Sequence, residues 1–331
     1  MSHRLICCML LFACAGAALG GDRDWKKHPA IVEMDTEQDI YAIGDVHGDY
    51  ERLINMLVVS KLIAKDPGKP DKVKWSAGKA VLVCTGDLID KGDHSVRVLQ
   101  LFMALQADAA KAGGRVILTL GNHEAEFLAR PRAEKAADFI KDLTDRGVKP
   151  EDVAAGTDAL GLGAFLRSLP FAARVNDWFF AHAGNTQGKT LARLKEELEG
   201  GVDGKGFSAA VLLAEDGLLE ARLTRPQPWW EKGTKTSAEA EKKLRDYLNA
   251  LSVQHLVVGH QAQKVTFADG TRRKEGELFQ KYDGLIFLID VGMSRKIGYS
   301  TGAILHIHRG KKQTRADVID AEGKRKTLWE K

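Results

Sequence analysis

Short apolar strand patterns alternate with amphipathic helix patterns through the first half of the chain, and this alternation limits the fold more than any other feature. Strand patterns occur in DIYAIGD (39–45), KAVLVCTGD (79–87) and RVILTLGN (115–122). The segments between them, YERLINMLVVSKLI and SVRVLQLFMALQADAAKAGG, have the apolar spacing of helices that bury one face. Strands joined by helical crossovers form parallel sheets with helices packed on their faces. The sequence therefore predicts an α/β fold.

The second half of the chain returns to strand patterns after a mainly helical region. Residues 131–169 and 188–251 have helical patterns, and between them lies a hairpin pattern, PFAARVNDWFFAHAG, with Asn176-Asp177 at its turn. Short strand patterns then recur in HLVVGH, KVTFAD, GLIFLID, GAILHIHRG and KQTRADVID. These patterns predict a second sheet. Because no linker-like boundary interrupts the chain, we expect residues 21–331 to form a single domain.

The first twenty residues have the pattern of a secretory signal peptide, so we expect residues 1–20 to lie outside the folded domain. Arg4 is followed by an apolar stretch from Leu5 to about Ala18, which is short for a membrane span. Cleavage after Gly20 would give an exported protein, either periplasmic or secreted. Two alternatives stay open: a lipid anchor on Cys14, and an N-terminal helix of the mature domain.

Composition argues against several kinds of partner and site. The net charge of +4 is small for 331 residues and the basic residues are scattered, so we expect no nucleic-acid partner. Only Cys84 of the four cysteines lies beyond the leader, which argues against a disulfide framework and against a thiolate metal site. We also expect no membrane span in the mature chain. The oligomeric state stays open.

Side chains able to bind metals follow the strand patterns, at the carboxyl ends where open α/β sheets bind ligands. The set is Asp45, His47, Asp87, Asn122, His182 and His260. Its carboxylate, amide and imidazole donors suit Mn, Fe or Zn. Six donors are too many for one four-coordinate ion, but they suit two ions that share a bridging carboxylate. Paired ions of this kind are a standard means of hydrolysing phosphate esters.

Taken singly, each of these residues has an ordinary structural explanation. A lone His182 or His260 is more often a buried histidine of the core than a ligand, Asp45 or Asp87 alone could be a turn residue, and Asn122 could cap a helix. The recurrence of such residues at successive strand ends is what favours a metal site.

The motifs GDVHG, GDLID-x-G, GNHE, HAG and GH, in this order over residues 44–261, resemble those of the calcineurin-like metallophosphoesterases. Within that family, the chain is most similar to the bacterial-type Shewanella-like phosphatases of the phosphoprotein phosphatase superfamily, around WSAGKAVLVCTGD and DVGMS (290–294). The resemblance implies a β-sandwich of two mixed sheets flanked by helices.

The resemblance also implies a role for each residue of the set. Asp45, His47 and His260 would hold one ion. Asp87 would bridge to a second ion, completed by Asn122 and His182. His123 would be the general acid that protonates the leaving group, and Asp90 would hydrogen-bond to His123 and keep it protonated. Hydroxide held by the metals would attack phosphorus directly, without a phosphoenzyme.

Two positions depart from the family pattern at the expected phosphate contacts. Lys91 replaces the usual arginine after the second motif, and Lys232 replaces a second arginine that often follows a tryptophan. A lysine is a point charge and lacks the bidentate fork of arginine, so we expect a weaker hold on the phosphate. Arg222 and Arg225 are candidates to compensate.

The expected function is hydrolysis of phosphomonoesters, with a phosphorylated protein (phospho-Ser/Thr or phospho-Tyr) or a small phosphoester as substrate. One alternative is a nucleotide hydrolase of the diadenosine-tetraphosphatase type, which shares these motifs. A phosphate-binding module that has lost catalysis is a third possibility, but no ligand or acid position is broken in this chain.

Overall fold

The computed structural model describes residues 23–224, 227–310 and 313–331. The predicted leader with Cys14, and the candidate phosphate contact Arg225, lie outside the described residues. Fourteen strands in the described part form two six-stranded sheets and one two-stranded sheet, with helices around them. This arrangement confirms the predicted α/β fold with two mixed sheets.

The first sheet joins the predicted parallel strands to an antiparallel extension, in the order β14-β13-β12-β2-β3-β4. Its strands are β2 (Ile40–Ile43), β3 (Val81–Cys84), β4 (Arg115–Leu118), β12 (Ala303–Arg309), β13 (Thr314–Asp320) and β14 (Arg325–Glu330). Every residue of β2 and β3 is buried, as expected for central parallel strands of a sheet that is covered on both faces. Strands β2, β3 and β4 are parallel to one another. Strands β12, β13 and β14 are antiparallel to their neighbours.

The second sheet has the order β1-β5-β6-β7-β11-β10 and is also mixed. Its strands are β1 (Ile31–Met34), β5 (Ala172–Val175), β6 (Trp178–Ala181), β7 (His255–Val258), β10 (Phe279–Lys281) and β11 (Ile286–Leu288). The predicted hairpin is β5–β6, and Asn176 at its turn has a left-handed φ of 54°. The short strands β8 (Val265–Thr266) and β9 (Arg272–Arg273) pair apart from both sheets.

Helices connect the strands and cover the sheets. They are α1 (Tyr50–Val59), α2 (Ser95–Lys111), α3 (Asn122–Ala129), α4 (Ala137–Asp145), α5 (Pro150–Ala155), α6 (Leu162–Ser168), α7 (Leu191–Lys205), α8 (Ala210–Leu213) and α9 (Ser237–Ala250). Short 3-10 turns lie at Pro70–Lys72, Glu134–Ala136 and Gly206–Ser208. The helical regions predicted for 131–169 and 188–251 are present. In the part of the chain that the structure describes, no helix is both long and apolar enough to cross a bilayer.

The two sheets direct the carboxyl ends of their central strands to one place. Residues that follow β2, β3 and β4 of the first sheet meet residues that follow β6 and β7 of the second. The contact is direct, because the backbone N–H of His260 donates to Asp45 Oδ1 at 3.0 Å. The fold thus assembles the residues that the sequence pattern singled out.

Candidate metal centre

The strand-end loops that carry the candidate ligands are bound to one another through their backbones. The N–H groups of Val46 and His47 donate to the carbonyl of Asp87, at 3.1 and 2.9 Å. His47, Asp87 and His260 have left-handed φ angles of 46°, 50° and 73°. Non-glycine residues rarely adopt this conformation, and such strain is concentrated at functional sites.

Glu124 organises the loop that carries Asp87. Its buried carboxyl group accepts four backbone N–H bonds: from Asp87 at 2.9 Å, Leu88 at 2.7 Å, Ile89 at 3.1 Å and Gly121 at 2.8 Å. Glu124 is the third residue of α3, so its bond to Gly121 also caps that helix. One side chain therefore sets the positions of two strand-end loops.

Two glycines are required by the close approach of ligand carboxylates. A Cβ at Gly259 would overlap Asp45 Oδ1, and a Cβ at Gly121 would overlap Asp87 Oδ1. Any other residue at these positions would displace a candidate ligand.

One group of donors contains Asp45, His47 and Asp87. The Nδ1–H of His47 donates to the Ile89 carbonyl at 3.0 Å, which leaves the lone pair of Nε2 free. That Nε2 lies 3.8 Å from Asp45 Oδ2 and 3.5 Å from Asp87 Oδ2. Burial lowers the pKa of His47 well below its ordinary value, which favours the neutral, ligating form.

A second group contains Asp87, Asn122, His182 and His260. His182 donates Nδ1–H to the Thr85 carbonyl at 2.9 Å, so Nε2 is the ligating atom. That Nε2 lies 3.0 Å from Asn122 Oδ1, 3.4 Å from Asp87 Oδ1 and 3.0 Å from His260 Nδ1. The nitrogen and oxygen lone pairs of these side chains therefore converge on one place, with fewer N–H donors than acceptors. In addition, the buried His260 Nε2 has no hydrogen-bond partner among the described residues.

The imidazole of His260 lies apart from the residues with which the prediction grouped it. The prediction placed its imidazole with Asp45 and His47, whereas the structure places it against His182. Only the backbone N–H of His260 contacts Asp45. The reason is that His182 and His260 follow β6 and β7, which are adjacent parallel strands of the second sheet.

The electrostatics of the site favour a cation. Burial raises the pKa of Asp45 well above its ordinary value, and Asp290 raises it further. Burial acts to raise the pKa of Asp87 as well, but His182 and His123 lower it, and the net shift is well below the ordinary value. For His182, burial lowers the pKa, but Asp87 and Asp45 outweigh this effect and raise it to about 10. The buried carboxylates would therefore be stabilised by a positive charge at the place where the lone pairs converge. Metal ions supply such a charge, and the oxygen and nitrogen donors present are suitable ligands for them.

His123 and Asp90 form the predicted pair beside these groups. His123 Nδ1 lies 2.9 Å from Asp90 Oδ2, while Asp90 Oδ1 accepts the N–H of Phe139 at 3.0 Å. His123 Nε2 lies 4.0 Å from Asp87 Oδ2, so the free nitrogen faces the ligands. Asp90 therefore fixes the orientation of the imidazole.

That Asp90 keeps His123 protonated stays a prediction, and burial acts against it. Burial lowers the pKa of His123 to about 4; Asp87 acts to raise it, whereas Lys91 and Lys135 lower it further. Burial also raises the pKa of Asp90 to about 7. Desolvation and the two ammonium groups thus outweigh Asp87 in setting the direction of the pKa shift of His123.

The candidate phosphate-binding side chains lie at different distances from the metal ligands. Lys91 Nζ lies 3.4 Å from His47 Nε2, at the edge of the ligands. Arg222 is exposed and near enough to His260 to contribute to lowering its pKa, after burial and His182. The described structure shows no contact between Lys232 and the ligands, so its role stays a prediction.

Sequence reasoning did not single out four residues that the structure places in or beside the candidate site. They are Glu124, Lys135, Glu220 and Asp290. Glu124 lies inside the GNHE motif and could have been found as an acidic residue at the third helical position. Asp290 lies in DVGMS, but Lys135 and Glu220 belong to the helical regions and carry no local signal.

Comparison with known proteins identifies the family. The profile of the calcineurin-like phosphoesterases matches residues 39–264, which is more than half of the chain and includes every candidate metal ligand. The chain belongs to this family. The resemblance inferred from the strand-end motifs is thereby confirmed.

Individual relatives show how far the likeness extends. The chain is 30% identical over 281 residues to Shewanella-like protein phosphatase 1 of Plasmodium berghei (strain Anka), covering 78% of this chain and 68% of that protein. It is 31% identical over 171 residues to a symmetrical bis(5'-nucleosyl)-tetraphosphatase of Chromobacterium violaceum, covering 51% of this chain and 52% of that one. The matches to the first three curated relatives span between 26% and 68% of their lengths.

A solved structure has the same fold. The cold-active protein-tyrosine phosphatase of a psychrophilic Shewanella species superposes with a TM-score of 0.66 and 23% identity, over 91% of this chain and 82% of that one. At this level of identity the likeness shows the fold alone.

Proposed function

We propose that this calcineurin-like phosphoesterase is a phosphomonoesterase that uses two metal ions and acts on phosphorylated side chains of proteins. The observation that carries the proposal is the convergence of six ligand residues into two groups that share Asp87. A carboxylate between two donor groups is the arrangement that a pair of ions requires. Mn²⁺, Fe and Zn²⁺ all accept nitrogen and oxygen donors, and we propose one of these as the native metal.

Asp45, His47 and Asp87 would hold one ion, and Asp87, Asn122, His182 and His260 the other. When bound, the ions would bind phosphoryl oxygens and lower the pKa of a water molecule. The protein supplies the remaining functions. Lys91 contributes an ammonium group beside His47, where it can contact the phosphate as a point charge.

His123 would move the proton that the leaving oxygen requires. Asp90 holds Nδ1, so the proton is transferred at Nε2. Burial lowers the pKa of this imidazole, so the ring would take up the proton when substrate arrives. A phosphate dianion favours that uptake, since a nearby opposite charge raises the pKa of an imidazole.

The protein substrate is supported by the relative in Plasmodium, which is a protein phosphatase by name and matches 78% of this chain. The relative in Chromobacterium favours a second candidate, a dinucleoside tetraphosphate substrate, but it matches only 51%. The lysines at positions 91 and 232 also favour a single phosphate group over a polyphosphate.

The test is turnover of p-nitrophenyl phosphate by chelator-stripped protein refilled with Mn²⁺. We expect restored activity in the wild type, none in Asp87→Asn and reduced activity in His123→Ala. Phosphopeptides and diadenosine tetraphosphate would then be compared as substrates by kcat/KM. Metal-loaded protein that hydrolyses none of these compounds would contradict the proposal and favour a binding module.

We further propose that residues 1–20 are a secretory leader and that residues 21–331 are a single exported catalytic domain. The support is the apolar stretch that follows Arg4. N-terminal sequencing of the protein recovered outside the cytoplasm should begin at Gly21. A lipid-anchored form would begin at Cys14, and an intact Met1 would contradict export by cleavage.

A further inference from the structure

The side-chain amide of Asn122 is held at both of its ends. Its Oδ1 lies 3.0 Å from His182 Nε2, within the second group of donors. Its Nδ2 donates to Glu220 Oε1, also at 3.0 Å. A rotation of the amide by half a turn would direct its NH₂ group at the ligands, where it could bind no cation. A carboxyl oxygen that accepts from Nδ2 prevents that rotation.

Glu220 is itself held in place by the backbone around His182. The carbonyl of Leu218, two residues earlier, accepts the N–H groups of Ala183 and Gly184, both at 2.9 Å. These residues directly follow His182. The segment that carries Glu220 is thus fixed to the loop that carries a ligand of the same group.

A lysine side chain also holds the carboxyl group of Glu220. Lys135 Nζ lies 2.5 Å from Glu126 Oε1 and 3.6 Å from Glu220 Oε1. Lys135 thus links the carboxyl group of Glu220 to that of Glu126, which lies on the same helix as Asn122. The side chain of Glu220 is only 12% exposed, so water competes little for its bond to Asn122.

We propose that Glu220 is the positioning residue of Asn122, holding the amide with its oxygen toward the ion that Asp87, His182 and His260 would share. The inference rests on the proposed two-metal site and adds a residue that belongs to none of its motifs. Residues that orient metal ligands in this way typically contribute about 10- to 100-fold to metal affinity.

The effect should be confined to one ion. Asn122 contributes to the second group and makes no contact with His47 or Asp45 among the described residues. A partly exposed ion pair such as Lys135–Glu220 contributes little to stability. Loss of Glu220 should therefore weaken one metal site while the thermal midpoint of the metal-free protein changes little.

The experiment is calorimetric titration of Mn²⁺ into the chelator-stripped full chain. We expect Glu220→Ala to weaken one of two Mn²⁺ sites by about 10- to 100-fold and to leave the other unchanged. Glu220→Gln keeps an oxygen that can accept from Asn122, so it should recover most of that affinity. Glu215→Ala is the matched control, because Glu215 is exposed in the same loop and contacts no ligand residue.

Two results would overturn the inference. In one, Glu220→Ala binds both ions with wild-type affinity. In the other, it loses affinity equally at both sites and its metal-free thermal midpoint falls, which would indicate a general structural role. The titration contains no phosphoester, so wild-type protein that binds two ions but hydrolyses nothing would refute the proposed function alone. Wild-type protein that binds fewer than two ions would refute both.

Discussion

Replacement of Glu124 by glutamine tests whether one buried carboxyl group organises the metal-binding loops. The substitution keeps the size of the side chain and changes one oxygen into an NH₂ group. Each carboxyl oxygen accepts two of the four backbone N–H bonds: one serves Leu88 and Ile89, and the other serves Asp87 and Gly121. In either orientation of the amide, two buried N–H groups therefore lose their acceptor and face another donor.

The magnitude follows from the two lost bonds. A buried N–H group without a partner costs about 1–3 kcal/mol, so two cost on the order of 2–6 kcal/mol. Burial acts in the opposite direction, because it raises the pKa of Glu124 to about 7 and thereby penalises the charged carboxylate that glutamine replaces. We expect the unsatisfied donors to dominate, with a net loss of about 2–4 kcal/mol in the free energy of unfolding.

The assay is urea denaturation of chelator-stripped protein, read by circular dichroism and by tryptophan fluorescence with an unchanged m-value. Glu134→Gln is the control, because Glu134 is exposed and makes no side-chain hydrogen bond with a described residue. The control should stay within about 0.5 kcal/mol of the wild type. A Glu124→Gln variant that also stays within this limit would refute the role given to the four bonds.

The remaining predictions concern the close approach at Gly259 and the dependence of folding stability on pH in acid. Gly259→Ala should weaken Mn²⁺ binding at least about tenfold, because its Cβ would displace Asp45, whereas Gly200→Ala in helix α7 has open space around its Cβ and should stabilise the fold by about 0.5–1 kcal/mol. Calorimetry and urea denaturation check the pair, and equal metal affinity in both variants would contradict the first claim. The hydrogen bond from His306 lowers the pKa of Asp39 below its ordinary value of 3.8, so the stability that Asp39 contributes is present above that pH and is lost as the pH falls through the lower folded pKa. The side chain of Asp39 is 38% exposed, so water weakens this contribution. Asp39→Asn should therefore lose less stability than the wild type below about pH 4, by less than about 1 kcal/mol. If the free energy of unfolding of the variant falls with pH as that of the wild type does, Asp39 makes no such contribution.

The elements that could be predicted from the sequence are those with a recognisable pattern in a short segment of the chain. Strands β2, β3 and β4 are apolar runs between amphipathic helices, and each is followed by a polar ligand-type residue. Strands β1, β9, β10 and β14 were not predicted. The strand β14, RKTLWE, has three charged residues in six, and β10 has three residues, so neither shows the apolar alternation that identifies a strand.

The same division applies to the site. Asp45, Asp87 and Asn122 stand directly after predicted strands, and His123 lies next to Asn122, so a sequence pattern is enough to select them. The side-chain neighbours of His260 were not predictable, because they depend on which strands are adjacent in the second sheet. The environment of His123 was not predictable either, because burial and the charge of Lys135, far away in the sequence, lower its pKa.

The sequence by itself determined the fold class, the family and the chemical type of the ligands, because strand periodicity and strand-end motifs are properties of short segments. The tertiary structure alone decided which donors lie together, that Glu124 joins two loops, and that Glu220 reaches Asn122 from a segment 98 residues away. These features depend on distances between chain segments that only the packing of two sheets fixes. The spacing of residues along the chain carries no information about them.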